Sequence, residues 1–322
     1  MTKQHTAAKI FGSREAMEGH LHGQERSYYV LALLYAVAVM ALAVAWLARR
    51  RSLPIELATD AASFCMIGWA QYSIGNAMHE GVHRNLLNRK SDLLVSMLTA
   101  WPIGLTMSYR QTHLDHHRYL GTDTDPDYRS YSSFPRSKAE MLSRIAWSAS
   151  GVAAVLQFLK IGAPLPVTPR EPRPGSRKDV IGLLLTQLVI FLTMATVFKS
   201  PMFYICLWIA PVATFGKLLA TCRFLCEHGD PKRDWVVRTI HGPRWQTWIM
   251  GAYDFNYHGE HHLFPHVPFA GLRDVYEIHT QYRVSAPDYI PLEGRFQVYN
   301  GGYLSLLFEW FRSLPIRSRQ AS

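Results

Sequence analysis

The sequence predicts an all-α integral membrane protein, with about four transmembrane helices in two hairpins and a cytosolic helical cap that carries a histidine-rich site. Hydrophobic residues make up 48% of the 322 residues and charged residues only 18%, below the roughly 25% usual in soluble proteins. Long runs without charge are separated from basic stretches, and nine of the 15 histidines fall in four groups. A chain with this share of hydrophobic residues can bury an apolar core, so disorder is excluded as its main state. Four cysteines are too few for a disulfide scaffold.

Four segments are predicted to span the bilayer. The first has no charged residue, and its 21 residues form a helix about 31 Å long, which matches the hydrocarbon core. The second is weaker because Glu56 and Asp60 lie near its start, and the fourth is interrupted by Pro211 and Lys217. The predicted spans are residues 28–48, 54–78, 180–198 and 201–221.

The spans pair into two hairpins, whose turns are predicted at Arg49–Leu53 and Lys199–Ser200. Residues 1–27 form a polar cytosolic segment ahead of the first span, and residues 28–322 form a single membrane domain. A basic, proline-rich linker at residues 164–178 joins the two halves, since its composition is typical of an extended spacer.

Two further apolar stretches are ambiguous. Residues 93–107, which Pro102 interrupts, and residues 145–159 are each 15 residues long, which is short for a span. Either is compatible with an interfacial or a re-entrant helix. If only one of them spanned, the histidine groups would fall on opposite faces of the membrane.

Counts of lysine and arginine predict the orientation, because cytoplasmic loops carry an excess of them. With four spans, 29 of the 34 basic residues lie on the side of the termini and the large loops, and four lie on the other side. This places both termini and the histidine groups in the cytoplasm. The rule is opposed locally by three arginines in the short outer turn, Arg49, Arg50 and Arg51. The opposite orientation, however, would place the 14 basic residues of the first large loop outside the cell.

The spacing of the histidines is the most informative feature of the chain. Residues at i, i+3 and i+4 share a face of a helix, so the histidines within each group are predicted to point in one direction. Imidazole suits iron, zinc, copper and nickel, and nine such ligands exceed what one ion needs and fit two. The predicted metal ligands are His79, His83, His113, His116, His117, His228, His258, His261 and His262.

The remaining histidines are interpreted as structural, as a lone histidine near a membrane interface usually is. Cys222 and Cys226, which lie one helical turn apart near His228, are interpreted as buried, unreactive thiols. The histidines assigned to structural roles are His5, His20, His22, His241, His266 and His279.

Carboxylates and an amide accompany the histidine groups. An acceptor on the outer nitrogen of a metal-bound imidazole fixes its tautomer, which is the role predicted here, although a solvated surface position is the alternative for each. The candidates are Glu80, Asp115, Glu227, Asp254, Asn256 and Glu260. The acidic run Asp123–Asp127 is interpreted instead as an Asx-type turn that includes Pro126.

These motifs resemble those of the membrane fatty acid desaturase family, which is marked by HxxxH, HxxHH and a C-terminal HxxHH. The segment from Asn256 to Pro265 is similar to the family's NYHxEHHxFP form, and Arg223–His228 resembles its additional ligand motif after the fourth helix. The resemblance covers residues 77–268, more than half of the chain. The motifs are specific in combination, while any one of them alone is weak.

The resemblance implies a helical membrane enzyme with two iron ions on the cytosolic side, held by the nine histidines. Such an enzyme uses O₂ and two electrons to abstract hydrogen from an unactivated C–H bond, and the expected reaction introduces a C=C bond into an acyl or lipid chain. Some relatives contribute an amide through a water at the position of Phe224, so any such water must be held otherwise here. No HPGG haem motif occurs, which implies a separate electron carrier: ferredoxin, rubredoxin, or cytochrome b5 with its reductase.

Alternatives remain open. Acyl hydroxylation, ketolation and oxidative decarboxylation to a terminal alkene share the same ligands within the family. His79–His83 also matches HExxH, in which Glu80 is the general base of a zinc protease, but this leaves seven clustered histidines unexplained. A metal transporter is a third class, which predicts ligands in the middle of the membrane rather than at the ends of spans.

The net charge of +10 indicates anionic partners. Membrane lipids and an acidic electron carrier are the expected ones, and no nucleic acid partner is expected. Basic residues that flank the first and fourth ligand motifs are candidates for either contact. They are Arg84, Arg89, Lys90, Lys232 and Arg233.

Overall fold

The computed structural model describes residues 10–11, 24–85, 92–158, 177–251 and 253–316. Helices dominate this part of the chain, as the sequence predicts. Most of the N-terminal segment 1–27 and of the linker 164–178 lies outside the described residues. The predictions for these segments, and the division into a single membrane domain, stay predictions.

The first hairpin consists of helix α1 (Gln24–Ala48) and helix α2 (Leu53–His83), which pack against each other. Its turn carries Arg49, whose guanidinium lies 2.5 Å from the carboxylate of Asp60 and also contacts Glu56. The acidic residues that weaken the second predicted span therefore neutralise a basic residue of the turn. This pairing accounts for one of the three arginines that oppose the predicted orientation.

Helix α3 (Asp92–Ala100) continues into a 3₁₀ turn at Trp101–Ile103 and stops at Gly104, whose φ is 81°. This apolar piece is too short to cross a bilayer, so the first ambiguous stretch is not a span of its own. Asp179 fixes it in place, since its carboxylate accepts a hydrogen bond of 2.7 Å from the indole nitrogen of Trp101.

Four short helices make up the described part of the first large loop, from residue 108 to residue 158. Gly151 separates the last two of them with a φ of 78°, a left-handed conformation that glycine adopts readily. The second ambiguous stretch therefore belongs to two helices and does not form one span. Leu142 and Trp147 are exposed on the third of them, which suits a position at the membrane interface. The helices are α4 (Ser108–Tyr119), α5 (Tyr128–Ser132), α6 (Lys138–Ala149) and α7 (Val152–Phe158).

The second hairpin consists of helix α8 (Arg177–Phe198) and helix α9 (Met202–His228). Lys199 starts the turn between them with a left-handed φ of 56°. Helix α9 contains two π-helical turns, one on each side of Pro211. Proline has no amide hydrogen for the regular ladder, so a widened turn is a common adjustment around it.

Helices α2 and α9 run in the same direction and touch at glycine. A Cβ on Gly68 would lie 2.8 Å from the carbonyl oxygen of Pro211, and a Cβ on Gly216 would lie 3.2 Å from the carbonyl oxygen of Gly68. His79 follows Gly68 by eleven residues and His228 follows Gly216 by twelve. At the rise of a helix both imidazoles are about 17 Å beyond the contact, so the glycines bring them to the same level.

Three of the described helices are long and apolar enough to cross a membrane: Tyr29–Ala48 in α1, Arg177–Phe198 and Met202–His228. They confirm three of the four predicted spans as helices of membrane length. Helix α2 is longer, with 31 residues, but its acidic first turns and its histidine-bearing last turns make it less apolar. The arrangement with four spans therefore remains a proposal.

The remaining described elements follow α9. Together with α4 to α7 they form the region called here the cap. Two four-residue strands, β1 (Val237–Ile240) and β2 (Phe296–Tyr299), pair in parallel, with Val237 opposite Phe296. No strand is predicted from the sequence, so the all-α prediction is corrected to a mostly helical protein that has one pair of strands among its described residues. Four residues are too few for an alternating pattern, and the partners are 59 residues apart. The helices of this region are α10 (Arg244–Gly251), α11 (His258–Leu263), α12 (Phe269–Ser285) and α13 (Tyr303–Ser313).

The cap has an apolar core of its own around α11, α12 and β2. Phe264 is fully buried in it, and the ring of Phe11 meets that ring edge to face at 5.4 Å. Strand β2 packs directly on α11, because a Cβ on Gly259 would lie 2.4 Å from the ring of Phe296. The strand pair therefore fixes the helix that carries the last histidine motif.

Candidate metal centre

The nine predicted ligands come from four segments that meet where α2 and α9 end. All nine are buried except His83, which is half-buried. The end of α2 carries His79 and His83, α4 carries His113, His116 and His117, α9 ends at His228, and α11 carries His258, His261 and His262. The structure thus brings together every residue that the motif spacing selects.

Five imidazoles form one set, called here the five-histidine group: His79, His83, His113, His117 and His261. Their ligand nitrogens all lie within 4.8 Å of one another. The Nε2 atom of His113 lies 2.9 Å from those of His83 and His117. The Nε2 atom of His261 lies 3.1 Å from that of His117. Three chain segments therefore converge on one point.

The other four imidazoles form a second set, called here the four-histidine group: His116, His228, His258 and His262. The ligand nitrogens of His116, His228 and His262 lie within 4.8 Å of one another. His258 completes the group, because its Nε2 atom lies 2.8 Å from that of His228 and 3.0 Å from that of His262.

Each HxxHH motif contributes to both groups. In α4 the first and last histidines belong to the five-histidine group and His116 belongs to the four-histidine group. In α11 the first and last histidines belong to the four-histidine group and His261 belongs to the five-histidine group. Positions i and i+4 lie almost above one another on a helix, while i+3 and i+4 diverge by about 100°. One HxxHH motif can therefore serve two neighbouring sites.

The separations between the imidazoles fit metal ions. Two nitrogens bound to one ion at about 2.1 Å and at right angles are about 3.0 Å apart, which matches the Nε2 separations of 2.8 to 3.1 Å. Burial, and then the neighbouring imidazoles, hold the pKa of four ligands well below the usual value, so they are neutral and able to bind metal. These ligands are His113, His117, His258 and His262. Such a donor set suits iron, and also zinc, copper and nickel.

Two imidazoles of the four-histidine group meet acceptors at their outer nitrogens. The Nδ1 atom of His116 lies 2.9 Å from Oδ1 of Asp125, and that of His228 lies 3.3 Å from the carbonyl oxygen of Val236. An acceptor at Nδ1 leaves Nε2 free of hydrogen and turned to an ion. Asp125 also makes the Asx-type turn that the sequence predicts, since the backbone nitrogen of Asp127 donates to it at 2.9 Å. Its contact with a ligand is not predicted from the sequence.

Glu227 lies beside a third ligand of that group. Its Oε2 atom is 3.5 Å from Nδ1 of His258. Its Oε1 atom accepts hydrogen bonds from Nε of Arg223 at 2.7 Å and from the hydroxyl of Tyr303 at 3.1 Å. Arg223 in turn donates to the side-chain oxygen of Asn76 at 2.7 Å. A buried carboxylate is costly unless it is paired, so Arg223 and Tyr303 supply the partners that Glu227 needs next to His258.

Glu80 and Asp254 contact the backbone. The carboxylate of Glu80 is fully buried and accepts a hydrogen bond of 2.9 Å from the backbone nitrogen of Phe269, the first residue of α12. The carbonyl oxygen of Asp254 accepts one of 3.1 Å from the nitrogen of Tyr257. Glu80 therefore ties α2 to the start of α12, and burial raises the pKa of its carboxyl to about 8.

Asp115 and Asn256 are held by other polar partners. Asp115 accepts a hydrogen bond of 3.0 Å from the amide of Gln111, one turn earlier in α4. Asn256 donates to the carbonyl oxygen of Ile240 at 3.1 Å. Asn256 therefore fixes the segment before α11 against strand β1.

Glu260 pairs with a histidine outside both groups. Its Oε1 atom lies 3.1 Å from Nδ1 of His279, and Thr239 donates to its other oxygen. All three side chains are fully buried, so this trio anchors α11 to α12 and β1. Among the described residues, neither His241 nor His266 joins a metal group. His5, His20 and His22 lie outside the described residues.

The surroundings of the HExxH segment do not favour a zinc protease. His79 and His83 share their group with three histidines from other segments, which an HExxH zinc site does not require. Glu80, the residue that would act as general base, is hydrogen-bonded to Phe269. The ligands also lie at the ends of α2 and α9 and in the short helices α4 and α11, and not midway along the helices of membrane length as a transporter predicts.

Known proteins with similar sequences include several desaturases. A family model described as "Fatty acid desaturase" matches residues 58–291. The sphingolipid delta(4)-desaturase DES1 of Drosophila melanogaster is 26% identical over 238 residues, which cover 71% of this chain and 68% of that protein. The sphingolipid delta(4)-desaturase/C4-monooxygenase DES2 of Bos taurus is 27% identical over 234 residues, which cover 69% and 66%.

A plant relative extends this similarity. The sphingolipid delta(4)-desaturase DES1-like protein of Oryza sativa subsp. japonica is 29% identical over 216 residues, which cover 64% of this chain and 60% of that protein. The chain thus spans about two thirds of the length of the relatives it matches. The matched family region begins in α2 and includes all nine histidines of the two groups.

Proposed function

The chain belongs to the fatty acid desaturase family, and on that basis we propose that it is an O₂-dependent oxidoreductase that introduces a C=C bond into an acyl or lipid chain. The observation that carries this proposal is the convergence of nine histidines into two groups with metal-like spacing. One iron ion is assigned to each group, so that each chain holds two. When bound, they supply the cleavage of an unactivated C–H bond, for which side chains alone have no chemistry.

The residues of the chain orient the ligands and exclude water. Asp125 at the outer nitrogen of His116 keeps that ring turned inward, and Glu227 lies in the equivalent place beside His258. The ring of Phe255, which is buried, lies 5.1 Å from that of His79. An apolar wall at this point keeps solvent away from an oxidation, which limits side reactions.

The proposed location is a multi-pass membrane protein with its active site on the cytoplasmic side. The 29 against 4 distribution of basic residues supports this orientation. Helices α2 and α9 end at the ligands, so a chain lying in the bilayer reaches the metal groups from the membrane side. The acyl chain of the substrate would then stay in an apolar medium throughout.

Electrons come from a separate carrier in this proposal. Lys232 and Arg233 are exposed and line a surface cavity of about 500 Å³. Arg295 and the acidic residues Asp234 and Glu293 also line it, so positive charge exceeds negative charge there by one. Positive charge at this point attracts an acidic redox protein over long range. Anionic lipid headgroups are the alternative partner for the same residues. Of the other candidates, Arg84 is exposed directly after the end of α2, and Arg89 and Lys90 lie outside the described residues.

Hydroxylation is the second candidate reaction. The relatives from Bos taurus and Caenorhabditis elegans carry both delta(4)-desaturase and C4-monooxygenase in their names, so both outcomes are associated with related chains. These names also make sphingolipids a substrate class to test beside fatty acids. Oxidative decarboxylation to a terminal alkene stays a prediction from the sequence.

The test is a profile of lipids and hydrocarbons from cells that express the protein, with His261→Ala as the control. Desaturation gives a product two hydrogens lighter, hydroxylation adds one oxygen, and decarboxylation gives a terminal alkene. A product that requires His261 identifies the reaction. Profiles that are the same for the wild type and the variant, with the wild type loaded with iron and supplied with a carrier, would refute the proposal.

A further inference from the structure

Asp125 lies at the centre of a closed set of hydrogen bonds. Its two carboxylate oxygens lie 2.9 and 3.0 Å from Nδ1 of His116. The hydroxyl of Tyr131 donates to Oδ2, and the backbone nitrogen of Gly121 lies 3.3 Å from the same oxygen. The nitrogen of Asp127 donates to Oδ1 at 2.9 Å. Every direction from which this carboxylate accepts is therefore occupied by a donor of the chain.

The carboxylate and its partners are removed from water. Asp125 is 4% exposed, His116 is 2% exposed and Tyr131 is 0% exposed. A buried charge is retained only when it is paired and hydrogen-bonded. These contacts therefore favour the form of His116 that carries its proton on Nδ1 and donates a hydrogen bond to the carboxylate of Asp125.

Tyr131 touches a second ligand of the same group. Its ring stacks on that of His228, with centroids 5.3 Å apart and planes at 26°. One side chain thus supports His228 by packing and His116 through Asp125. A ring without the hydroxyl would keep the first contact and lose the second.

The loop that carries Asp125 turns at Gly121, where only glycine fits without strain. This residue has a φ of 77°, and a Cβ on it would lie 2.1 Å from the ring of Trp235. Its nitrogen also donates to the hydroxyl of Tyr131 at 3.0 Å. These contacts therefore fix the position of the turn relative to the four-histidine group.

We propose that Asp125 and Tyr131 are positioning residues of the four-histidine group, with Asp125 holding the Nδ1 proton of His116 and Tyr131 holding Asp125. This inference rests on the proposed function only in that a metal ion occupies the group. The carboxylate of Asp125 makes Nε2 of His116 a stronger electron-pair donor to a metal ion and fixes the imidazole ring. An ion in the four-histidine group should therefore depend on Asp125 more than an ion in the five-histidine group does.

The test follows the retention of iron. Detergent-purified protein is stripped with a chelator, reloaded anaerobically with ⁵⁷Fe(II) and titrated with chelator, and Mössbauer spectra follow the two sites. Asp125→Asn should weaken one site by about 10–100-fold, the usual effect of losing such a partner, and leave the other site unchanged. Tyr131→Phe should weaken the same site by a smaller factor. Asp125→Glu should restore part of the loss.

Asp123→Asn is the matched control, because Asp123 lies in the same loop and is exposed. It should retain both irons as the wild type does. Wild-type retention in Asp125→Asn, or equal loss of both irons together with a lower melting temperature, would overturn the proposal. If Asp125→Asn does not fold, Tyr131→Phe decides: it must lose one site preferentially. A wild type that binds two irons but oxidises no lipid would refute the proposed function and leave this inference intact.

Discussion

Gly68 of α2 is in backbone contact with Pro211 of α9, so close that a Cβ at residue 68 would lie 2.8 Å from the proline carbonyl oxygen. A Cβ atom does not approach a backbone oxygen so closely in a folded chain, so the two helices have their present separation only because residue 68 has no side chain. Small residues at a helix interface allow this approach within a membrane. The contact lies below the metal groups and sets the distance between the helices that carry His79 and His228.

Gly68→Ala should therefore separate α2 from α9. We expect a loss of about 1–3 kcal/mol in the free energy of unfolding, as for other overpacked sites, together with weaker iron retention. Thermal unfolding in detergent and iron analysis measure both. Gly75→Ala is the matched control on the same helix, because its Cβ would meet nothing closer than 3.7 Å. Equal effects of the two changes would contradict the close-contact argument.

The purified protein should hold about two irons per chain. Five and four imidazoles exceed the needs of one ion, and the two groups are separate in space. Metal analysis after anaerobic reconstitution with Fe(II) measures the ratio. One tightly held zinc that iron does not displace under reducing conditions would rule out two irons. Zinc found straight after overexpression does not decide the question, because zinc competes well for imidazole.

Glu80→Ala should weaken iron retention and leave part of the activity. The carboxylate joins the end of α2 to the start of α12, so its loss loosens the helix end that carries His79 and His83. A decrease of about 10–100-fold is typical for a residue that supports metal ligands. Glu80→Gln keeps an acceptor for the nitrogen of Phe269 and should be milder. A protease base would behave differently, with metal retained and turnover lost, so intact iron with no oxidation would contradict this assignment.

Cysteine labelling should place Ser52 and Ser130 on opposite sides of the membrane. Both residues are exposed, the first in the turn between α1 and α2 and the second in α5 of the cap. Single-cysteine variants in a background without the four native cysteines are labelled in sealed vesicles with an impermeant maleimide. The cap residue should react from the cytoplasmic side. Labelling of both residues from one side would mean that α1 and α2 do not cross the membrane as a hairpin.

Substitution of the exposed basic residues should weaken the encounter with the electron carrier. Lys232→Glu together with Arg233→Glu should raise the apparent KM for an acidic carrier and leave the iron content unchanged. Activity that is limited by the carrier should also fall with added salt, since exposed charges are screened beyond about 8 Å at 0.15 M. Arg244→Glu together with Arg312→Glu, both exposed positions outside this cavity, is the charge-matched control. A rate independent of salt with an unchanged KM would assign these residues to lipid headgroups instead.

The sequence predicts which histidines converge because helical spacing is local information. Residues i, i+3 and i+4 lie on one side of a helix whatever surrounds it, so eight of the nine histidines can be selected without a structure. His228 is selected by the resemblance of Arg223–His228 to a ligand motif. Their division into two groups is not local. Whether His116 faces His228 or His83 depends on how α4 packs against α2 and α9, and no pattern within HLDHH encodes that packing.

The supporting residues show the same limit. Asp125 follows His116 by nine residues, and only the turn at Gly121 brings its carboxylate back to the imidazole. The acidic run therefore resembles an ordinary Asx-type turn, and it makes the contact of such a turn while Asp125 is buried. Glu260 adjoins a ligand in sequence, yet its carboxylate faces His279 from another helix. Proximity along the chain does not decide which way a side chain between two ligands points.

The parallel pairing of β1 with β2 bears on how the protein is made. Strand β2 leaves the ribosome after all nine histidines have been synthesised, yet Phe296 packs on Gly259 of α11. Until β2 docks, the helix that carries the last three histidines lacks the contact that fixes its direction. For the proposed metal centre, we therefore expect stable metal binding only after β2 has been translated, when nearly the whole chain has been made.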